Sequence, residues 1–316
     1  MKILVTAPWV AQSIDELAKE FPKAEFINGQ NPADALQAAP EVEVVIGAVS
    51  RELFAAARQL RWLHFPAAGV EWLQTVPDLV NSDVTVTNSR GAHATTIAEH
   101  TFGMLIFLAR QFATLVEAQK EKKWLWPLPK QGVGLVGLTM GIVGLGQIGR
   151  AIAKRAHAFE MNVIAVDVNP VQRPDYVAEL GLLDGLNDLM SRADVVVVAT
   201  PITPETRGMI GPEQLRLMKK GSYLLPISRG GIVHEPTVVQ MLKEGHLAGA
   251  GFDVTAVEPL PADNELWTAP NVIITPHCSP SSQQTQQNVV ALIRENVAHY
   301  LAGEPLTNVV NKKLGY

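Results

Sequence analysis

A single cysteine, Cys278, stands among 316 residues, so the chain holds neither an internal disulfide nor a thiolate metal cluster. That economy fits a reducing cytoplasm, the expected location. A basic excess is also missing: 26 lysines and arginines against 31 aspartates and glutamates give a formal net charge of −5. Neither a nucleic acid nor an anionic membrane surface is favoured as partner by that balance. Long uncharged apolar runs are absent too. The run Ile3-Leu4-Val5 is too short for a signal-peptide core and reads as a first buried strand. The most apolar long stretch, 101–118, carries Arg110 near its middle, where a bilayer would make a charge costly. A soluble protein is expected, with no membrane partner. Its 47% hydrophobic and 18% charged residues exclude disorder, and its length suits about two domains.

What is present alternates between two periods. Short apolar runs at 3–6, 42–47, 62–65 and 84–87 read as strands, with helical stretches at 13–20 and 51–57 between them. Ser13, with Glu16 three residues on, reads as an N-cap. A long helix is expected from Thr95 to about Lys123, apolar around most of its circumference and buried on more than one side. Two prolines and three glycines in 126–139 mark a loop into a second α/β region. There the runs 142–143, 163–166, 195–199, 223–225, 249–252 and 272–274 are short and continuously apolar, the pattern of parallel strands buried on both faces. A final helix is expected over 282–301, packing on the first domain.

The sharpest local signal is Gly144-Leu145-Gly146-Gln147-Ile148-Gly149, which follows an apolar strand and opens a helix. Gly144 suits the tight turn, Gly146 the approach of a pyrophosphate, and Gly149 close helix–strand contact. The helix N-terminus, beginning with Gln147 and Ile148, offers N–H groups to phosphate. Asp167 ends the next strand, 18 positions beyond Gly149. A carboxylate there accepts ribose hydroxyls of NAD and disfavours the extra phosphate of NADP. The competing reading is a plain glycine turn with a strand-end aspartate capping a loop.

Three later strand ends supply polar groups: Ser228-Arg229-Gly230, Asp253 leading to Glu258, and Thr275-Pro276-His277. A fixed cation, a carboxylate and an imidazole suit reduction of a carbonyl beside a carboxylate. Taken singly, the same residues read as a surface arginine, a solvated acid before proline and a core histidine.

These motifs, together with Thr200-Pro201-Ile202-Thr203-Pro204, Gly230-Gly231-Ile232-Val233 and Gly249-Ala250-Gly251-Phe252-Asp253-Val254, resemble the D-isomer-specific 2-hydroxyacid dehydrogenases over nearly the whole chain. The resemblance implies a flavodoxin-like substrate domain (1–97 plus 284–316) and a Rossmann NAD-binding domain (98–283), both with parallel sheets and with the active cleft between them. It implies NAD-dependent interconversion of a 2-oxo acid and a D-2-hydroxy acid. Arg229 would bind the substrate carboxylate and polarise its carbonyl. His277 would be the acid or base, and Glu258 would bond His277 and favour its imidazolium form. Asp253 would orient the nicotinamide carboxamide, and Thr200, Pro201 and Ser228 would line the cofactor site. Ala68 and Gly69, in Ala67-Ala68-Gly69-Val70, would offer N–H groups to the substrate carboxylate. A homodimer through the long helix is implied, and no metal. A dinucleotide-sensing corepressor-like protein and a formate dehydrogenase-like enzyme are the alternatives. Pro226, His234 and Cys278-Ser279-Pro280-Ser281 depart from the family pattern, and Pro226 and Pro280 are expected to stiffen the loops around Arg229 and His277.

Overall fold

In the computed structural model, which describes residues 1–313, the chain divides into two compact units. One unit comprises Met1–His93 and Ser282–Tyr316, the other Ala94–Ser281.

The first unit is built on β1 (Lys2–Val5), β2 (Glu25–Asn28), β3 (Val44–Ile46), β4 (Trp62–Phe65) and β5 (Thr85–Asn88). They form one parallel sheet in the order β2-β1-β3-β4-β5, which is the flavodoxin-like arrangement. The C-terminal helix Gln283–Ala302 belongs to this unit. Its Val289, Ile293 and Val297 recur every four residues, share one face, and pack with Ile3, Val5, Val44, Ile46 and Trp62. Each of these three is fully buried and contributes roughly 1.5–3 kcal/mol. The helix starts where Ser282 Oγ accepts the Thr285 N–H (3.1 Å) and stops at Gly303, whose φ of 71° no longer continues it.

Two local features of this unit carry no clear sequence signal or an incomplete one. The edge strand β2 is only half-buried, so Glu25-Phe26-Ile27-Asn28 lacks the continuous apolar run of its neighbours. Ser13 stands at the N-cap of the helix Ile14–Glu20 as expected, but its side chain makes no capping bond, because the short helix Pro8–Ala11 precedes it and leaves it in a turn, with its N–H on Val10 O.

The second unit carries β6 (Thr139–Val143), β7 (Asn162–Asp167), β8 (Glu179–Leu182), β9 (Val195–Val198), β10 (Tyr223–Pro226), β11 (Gly249–Phe252) and β12 (Val272–Ile274). All are parallel, in the order β12-β11-β10-β9-β6-β7-β8. The direction of the winding reverses between β6 and β9, as in a Rossmann fold. The edge strand β8 is largely exposed and has no apolar run to announce it.

The expected helix from Thr95 to Lys123 is two helices. Ala94–Ala109 ends before Gln111, which takes a left-handed φ of 56°, and Phe112–Lys120 leaves at an angle of 69°. The first piece is the buried one, with Ile97, Phe102, Met104 and Leu105 in the core. Phe112 and Val116 of the second are each 42% exposed, so the all-round apolar surface is not all buried. No single helix among the described residues is long and apolar enough to cross a membrane; only this bent pair, taken together, passes on length and composition.

Candidate functional site

The residues singled out in the second unit gather at the carboxyl ends of its strands. Gly144 follows β6, Asp167 ends β7, Thr200 follows β9, Ser228 and Arg229 follow β10, Asp253 follows β11, and Thr275 and His277 follow β12. In an open parallel sheet this edge, at the winding reversal, is where ligands bind.

At the glycine loop, Gly144 has φ of 98°, and a Cβ there would lie 2.8 Å from the Thr200 nitrogen. A Cβ on Gly149 would come within 2.0 Å of the Gly144 carbonyl oxygen, so the helix Gln147–Ala158 can sit this close only with glycine. Gly146 differs: a Cβ there meets nothing within 4 Å. It faces open space at a helix N-terminus without a side-chain cap, where backbone N–H groups and the helix dipole favour an anion. Among the described residues, the buried hydroxyls Thr200 Oγ1 and Ser228 Oγ have no hydrogen-bond partner. An open cradle and two orphaned hydroxyls along one sheet edge fit a dinucleotide.

Asp167 is more constrained than its motif suggests. Oδ2 accepts the N–H of Leu145 (2.7 Å), inside the glycine loop, and Oδ1 accepts that of Asn169 (3.0 Å). It therefore caps the loop, and each oxygen keeps lone-pair capacity for a ribose hydroxyl.

On the other side of the reversal, His277 Nδ1 lies 2.8 Å from Glu258 Oε2. The second carboxylate oxygen, Oε1, accepts the Thr255 N–H (3.0 Å), which fixes the acid against its own loop. Beside it Glu235 Oε1 accepts the Ala256 N–H (2.6 Å). Burial, reinforced by the charge of Glu258, pushes Glu235 above the ordinary carboxylate range, although the Ala256 bond opposes this. The Arg229 turn abuts the same loop: a Cβ on Gly230 would sit 1.9 Å from Thr255 O, so glycine after Arg229 lets the two backbones touch. Arg229 itself donates from Nη1 to Ser228 O (2.7 Å) and is half-buried.

His277 occupies a left-handed conformation, φ of 50°, which costs a non-glycine residue roughly 1–2 kcal/mol. Asp253 holds that turn. Its main-chain oxygen accepts the His277 N–H (2.8 Å), and its carboxylate accepts the N–H groups of Cys278 (3.0 Å) and Ser279 (3.1 Å) and the hydroxyl of Thr275 (2.6 Å). Its side chain is wholly buried. His100 Nε2 is 2.9 Å from the same Thr275 hydroxyl. Although His100 Nε2, an Asp253 oxygen and Cys278 Sγ lie within 4.8 Å of one another, the Thr275 hydroxyl already bridges the first two. The cluster is a hydrogen-bond network. Burial, with the Asp253 charge second, pushes the Cys278 thiol upward, away from thiolate reactivity.

The departures from the family pattern have defined places. Pro226 is the last residue of β10, paired in register with Val198, and the ladder resumes with the Ile227 N–H on Val198 O (3.1 Å). His234 stands at the N-cap of the helix Glu235–Lys243 and bonds the Thr237 hydroxyl (2.8 Å). Pro280 lies in a turn closed by the Ser281 N–H on Cys278 O (2.8 Å).

In the first unit, Ala68 and Gly69 follow β4. The Ala68 carbonyl accepts from Asn88 Nδ2 (2.7 Å) and the Ala67 carbonyl from the Ser89 N–H (3.0 Å), while among the described residues nothing accepts the N–H groups of Ala68 and Gly69. Sequence reasoning overlooked His64, fully buried between Thr87 Oγ1 (2.8 Å) and Ser89 Oγ (3.0 Å), because an isolated histidine in an apolar run carries no motif.

The chain is similar to known proteins in both sequence and fold. Residues 102–279 match the family model of the D-isomer specific 2-hydroxyacid dehydrogenase NAD binding domain. The chain is 33% identical to a D-3-phosphoglycerate dehydrogenase of Methanocaldococcus jannaschii, over 98% of its own length but 59% of that protein's. It is 35% identical to a glyoxylate reductase of Korarchaeum cryptofilum, over 86% of this chain and 82% of that one. Among solved structures, an NADPH-dependent glyoxylate/hydroxypyruvate reductase of Sinorhizobium meliloti, in complex with NADP and sulfate, is similar with a TM-score of 0.84 at 25% identity, covering 100% of this chain and 99% of that one. The chain thus spans a little over half the length of the first of these relatives and most of the others. It belongs to the D-isomer specific 2-hydroxyacid dehydrogenase family.

Proposed function

We propose that the chain is an NAD-dependent dehydrogenase interconverting a small 2-oxo acid and its D-2-hydroxy acid. The observation that carries this reading is the 2.8 Å pair of His277 and Glu258 at the ligand-binding edge of a Rossmann sheet, with the Arg229 turn packed against the Glu258 loop. Reduced dinucleotide, when bound, supplies the hydride for the carbonyl carbon. Glu258 occupies His277 Nδ1, which leaves Nε2 as the ring atom that gives a proton to the carbonyl oxygen and takes it back in oxidation. The negative carboxylate compensates the imidazolium before transfer. Arg229 supplies a fixed, planar cation for the substrate carboxylate and draws electron density from the carbonyl. In the first unit, Ala68 and Gly69 carry main-chain N–H groups of the kind a substrate carboxylate accepts. The loop Gly144, Gly146, Gln147, Ile148, Gly149 receives the pyrophosphate, with Thr200, Pro201 and Ser228 along the cofactor site.

The assignment of NAD over NADP rests on Asp167, whose charge disfavours a ribose phosphate. Asp253 is placed here chiefly as the anchor of the His277 turn; any bond it makes to the carboxamide is additional. We infer further that the protein is a homodimer, because the segment after the helix break exposes Phe112 and Val116 and leaves Trp124 and Trp126 96% and 77% exposed. A monomer by light scattering at micromolar concentration would defeat that inference.

Steady-state oxidation of NADH and NADPH with glyoxylate, hydroxypyruvate, pyruvate and bulkier 2-oxo acids tests the reading. Turnover of at least one acid with NADH is expected. Tight NADH binding with no turnover of any acid would favour a dinucleotide-sensing protein instead.

A further inference from the structure

We propose that His100 and Thr275 are positioning residues for the acid–base imidazole, acting on His277 through Asp253. This rests on the dehydrogenase reading above and deepens it.

The direction of every bond in the chain follows from donor and acceptor chemistry. An ionised carboxylate only accepts, so the Thr275 hydroxyl, 2.6 Å from Asp253 Oδ1, spends its single proton on it. Thr275 Oγ1 can then only accept from His100 Nε2, 2.9 Å away, so that nitrogen carries a proton. The chain therefore reads His100 Nε2–H to Thr275 O–H to Asp253 Oδ1. Asp253 in turn accepts the N–H of Cys278 at the same Oδ1, that of Ser279 at Oδ2 and, through its main-chain oxygen, that of His277.

The work such a chain performs is visible in the backbone. His277 has a φ of 50°, which the turn adopts only against local strain. Three N–H groups converging on Asp253 hold it there: that of Cys278 shares Oδ1 with the Thr275 hydroxyl, and that of His277 is shared between the main-chain oxygens of Asp253 (2.8 Å) and Thr275 (3.0 Å). The carboxylate itself is steadied by Thr275, just after β12, and behind it by His100, on the buried helix Ala94–Ala109. The ring of His277 is then bonded at Nδ1 by Glu258, so both its backbone and its orientation are set before substrate arrives. Neither His100 nor Thr275 needs to touch the reacting atoms. A displacement of the imidazole by about 1 Å suffices to cost on the order of 100-fold in rate.

The test compares Thr275→Val with Thr275→Ser, and His100→Leu with His100→Gln. The first of each pair removes the bond and the second keeps a hydroxyl or an N–H donor. In Thr275→Val, kcat for the best 2-oxo acid should fall by about tenfold or more while its KM and the Kd for NADH stay within about twofold, and Thr275→Ser should recover most of the loss. A substrate-free readout runs beside it. In 1H–15N spectra of the histidine rings, wild-type His100 should be protonated at Nε2, and the His277 resonances should move in Thr275→Val and return in Thr275→Ser. Wild-type kcat in a folded Thr275→Val protein, unmoved His277 resonances, or an unprotonated His100 Nε2 would overturn the proposal. If His100→Leu does not fold, the threonine pair decides. Failure of the dehydrogenase reading shows differently, as a wild-type protein that turns over no 2-oxo acid, and the spectra still decide the positioning role.

Discussion

His277 Nδ1 and Glu258 Oε2 meet at 2.8 Å from opposite sides of a 19-residue separation in the chain. Each partner is anchored independently, the acid by the Thr255 N–H and the histidine by Asp253. Replacing the acid therefore removes charge without unravelling either loop. Glu258→Gln should lower kcat by roughly 10- to 1000-fold, since positioned acid–base catalysis contributes about 10²–10⁴-fold. Thermal unfolding and NADH affinity should be nearly unchanged. Kinetics on the purified variant check this, and a kcat within twofold of wild type would contradict the role given to Glu258.

The three glycines of the loop should respond differently to alanine. In Gly149→Ala the new methyl would meet the Gly144 carbonyl oxygen at 2.0 Å, so the helix must move off the strand. Overpacking of that kind costs about 1–3 kcal/mol, and both Tm and NADH affinity should drop. Gly146→Ala places its methyl in open space, so Tm should hold while NADH affinity falls. Differential scanning calorimetry and fluorescence titration separate the two outcomes.

Asp167 sets the expected cofactor preference. Its carboxylate is fixed by Leu145 and Asn169 and cannot swing away from a 2′-phosphate. A like-charge contact costs several kcal/mol, so kcat/KM for NADH should exceed that for NADPH by about 100-fold or more. Asp167→Ser should narrow the gap. Wild-type preference for NADPH would reverse the assignment.

His64 gives a pH dependence of known sign. Burial pushes its pKa down from 6.5 to about 3. Between those values the unfolded chain binds a proton that the folded protein does not, so stability rises with pH through this window. The contribution of His64 is complete above about pH 6.5 and is lost on acidification, by up to about 1.4 kcal/mol per pH unit. His64→Gln lacks the titrating group, and its denaturation midpoint should fall less steeply below pH 6.5 than that of wild type. Parallel slopes for the two proteins would contradict a buried neutral His64.

Much of this organisation was legible in the residues because the strongest signals are local. Continuous apolar runs marked six of the seven strands of the second sheet, and the spacing from Gly144 to Asp167 marked the turn between its first two. What escaped had no local signal. The edge strands β2 and β8 are paired on one side and partly solvated, so their sequences carry polar residues and glycine. The break at Gln111 lies inside an uninterrupted helical pattern, and only φ reveals it. At the site, Glu258 and His277 were recognisable in sequence, but the network behind them was not. His100 and Thr275 lie 175 positions apart, a distance over which periodicity says nothing. The meaning of Gly230 likewise depends on a contact with Thr255 that only the fold creates.

The proposed role of His277, moving the proton in a dinucleotide-dependent reduction of a 2-oxo acid, is open to a direct kinetic test. NADH consumption should be followed for wild type and His277→Ala across the 2-oxo acid panel, with the product's configuration assigned and NADH affinity measured for both. Wild type should form a D-2-hydroxy acid in step with NADH oxidation. In His277→Ala, kcat should fall by at least about 100-fold at unchanged NADH affinity. Turnover by His277→Ala close to that of wild type would contradict that role.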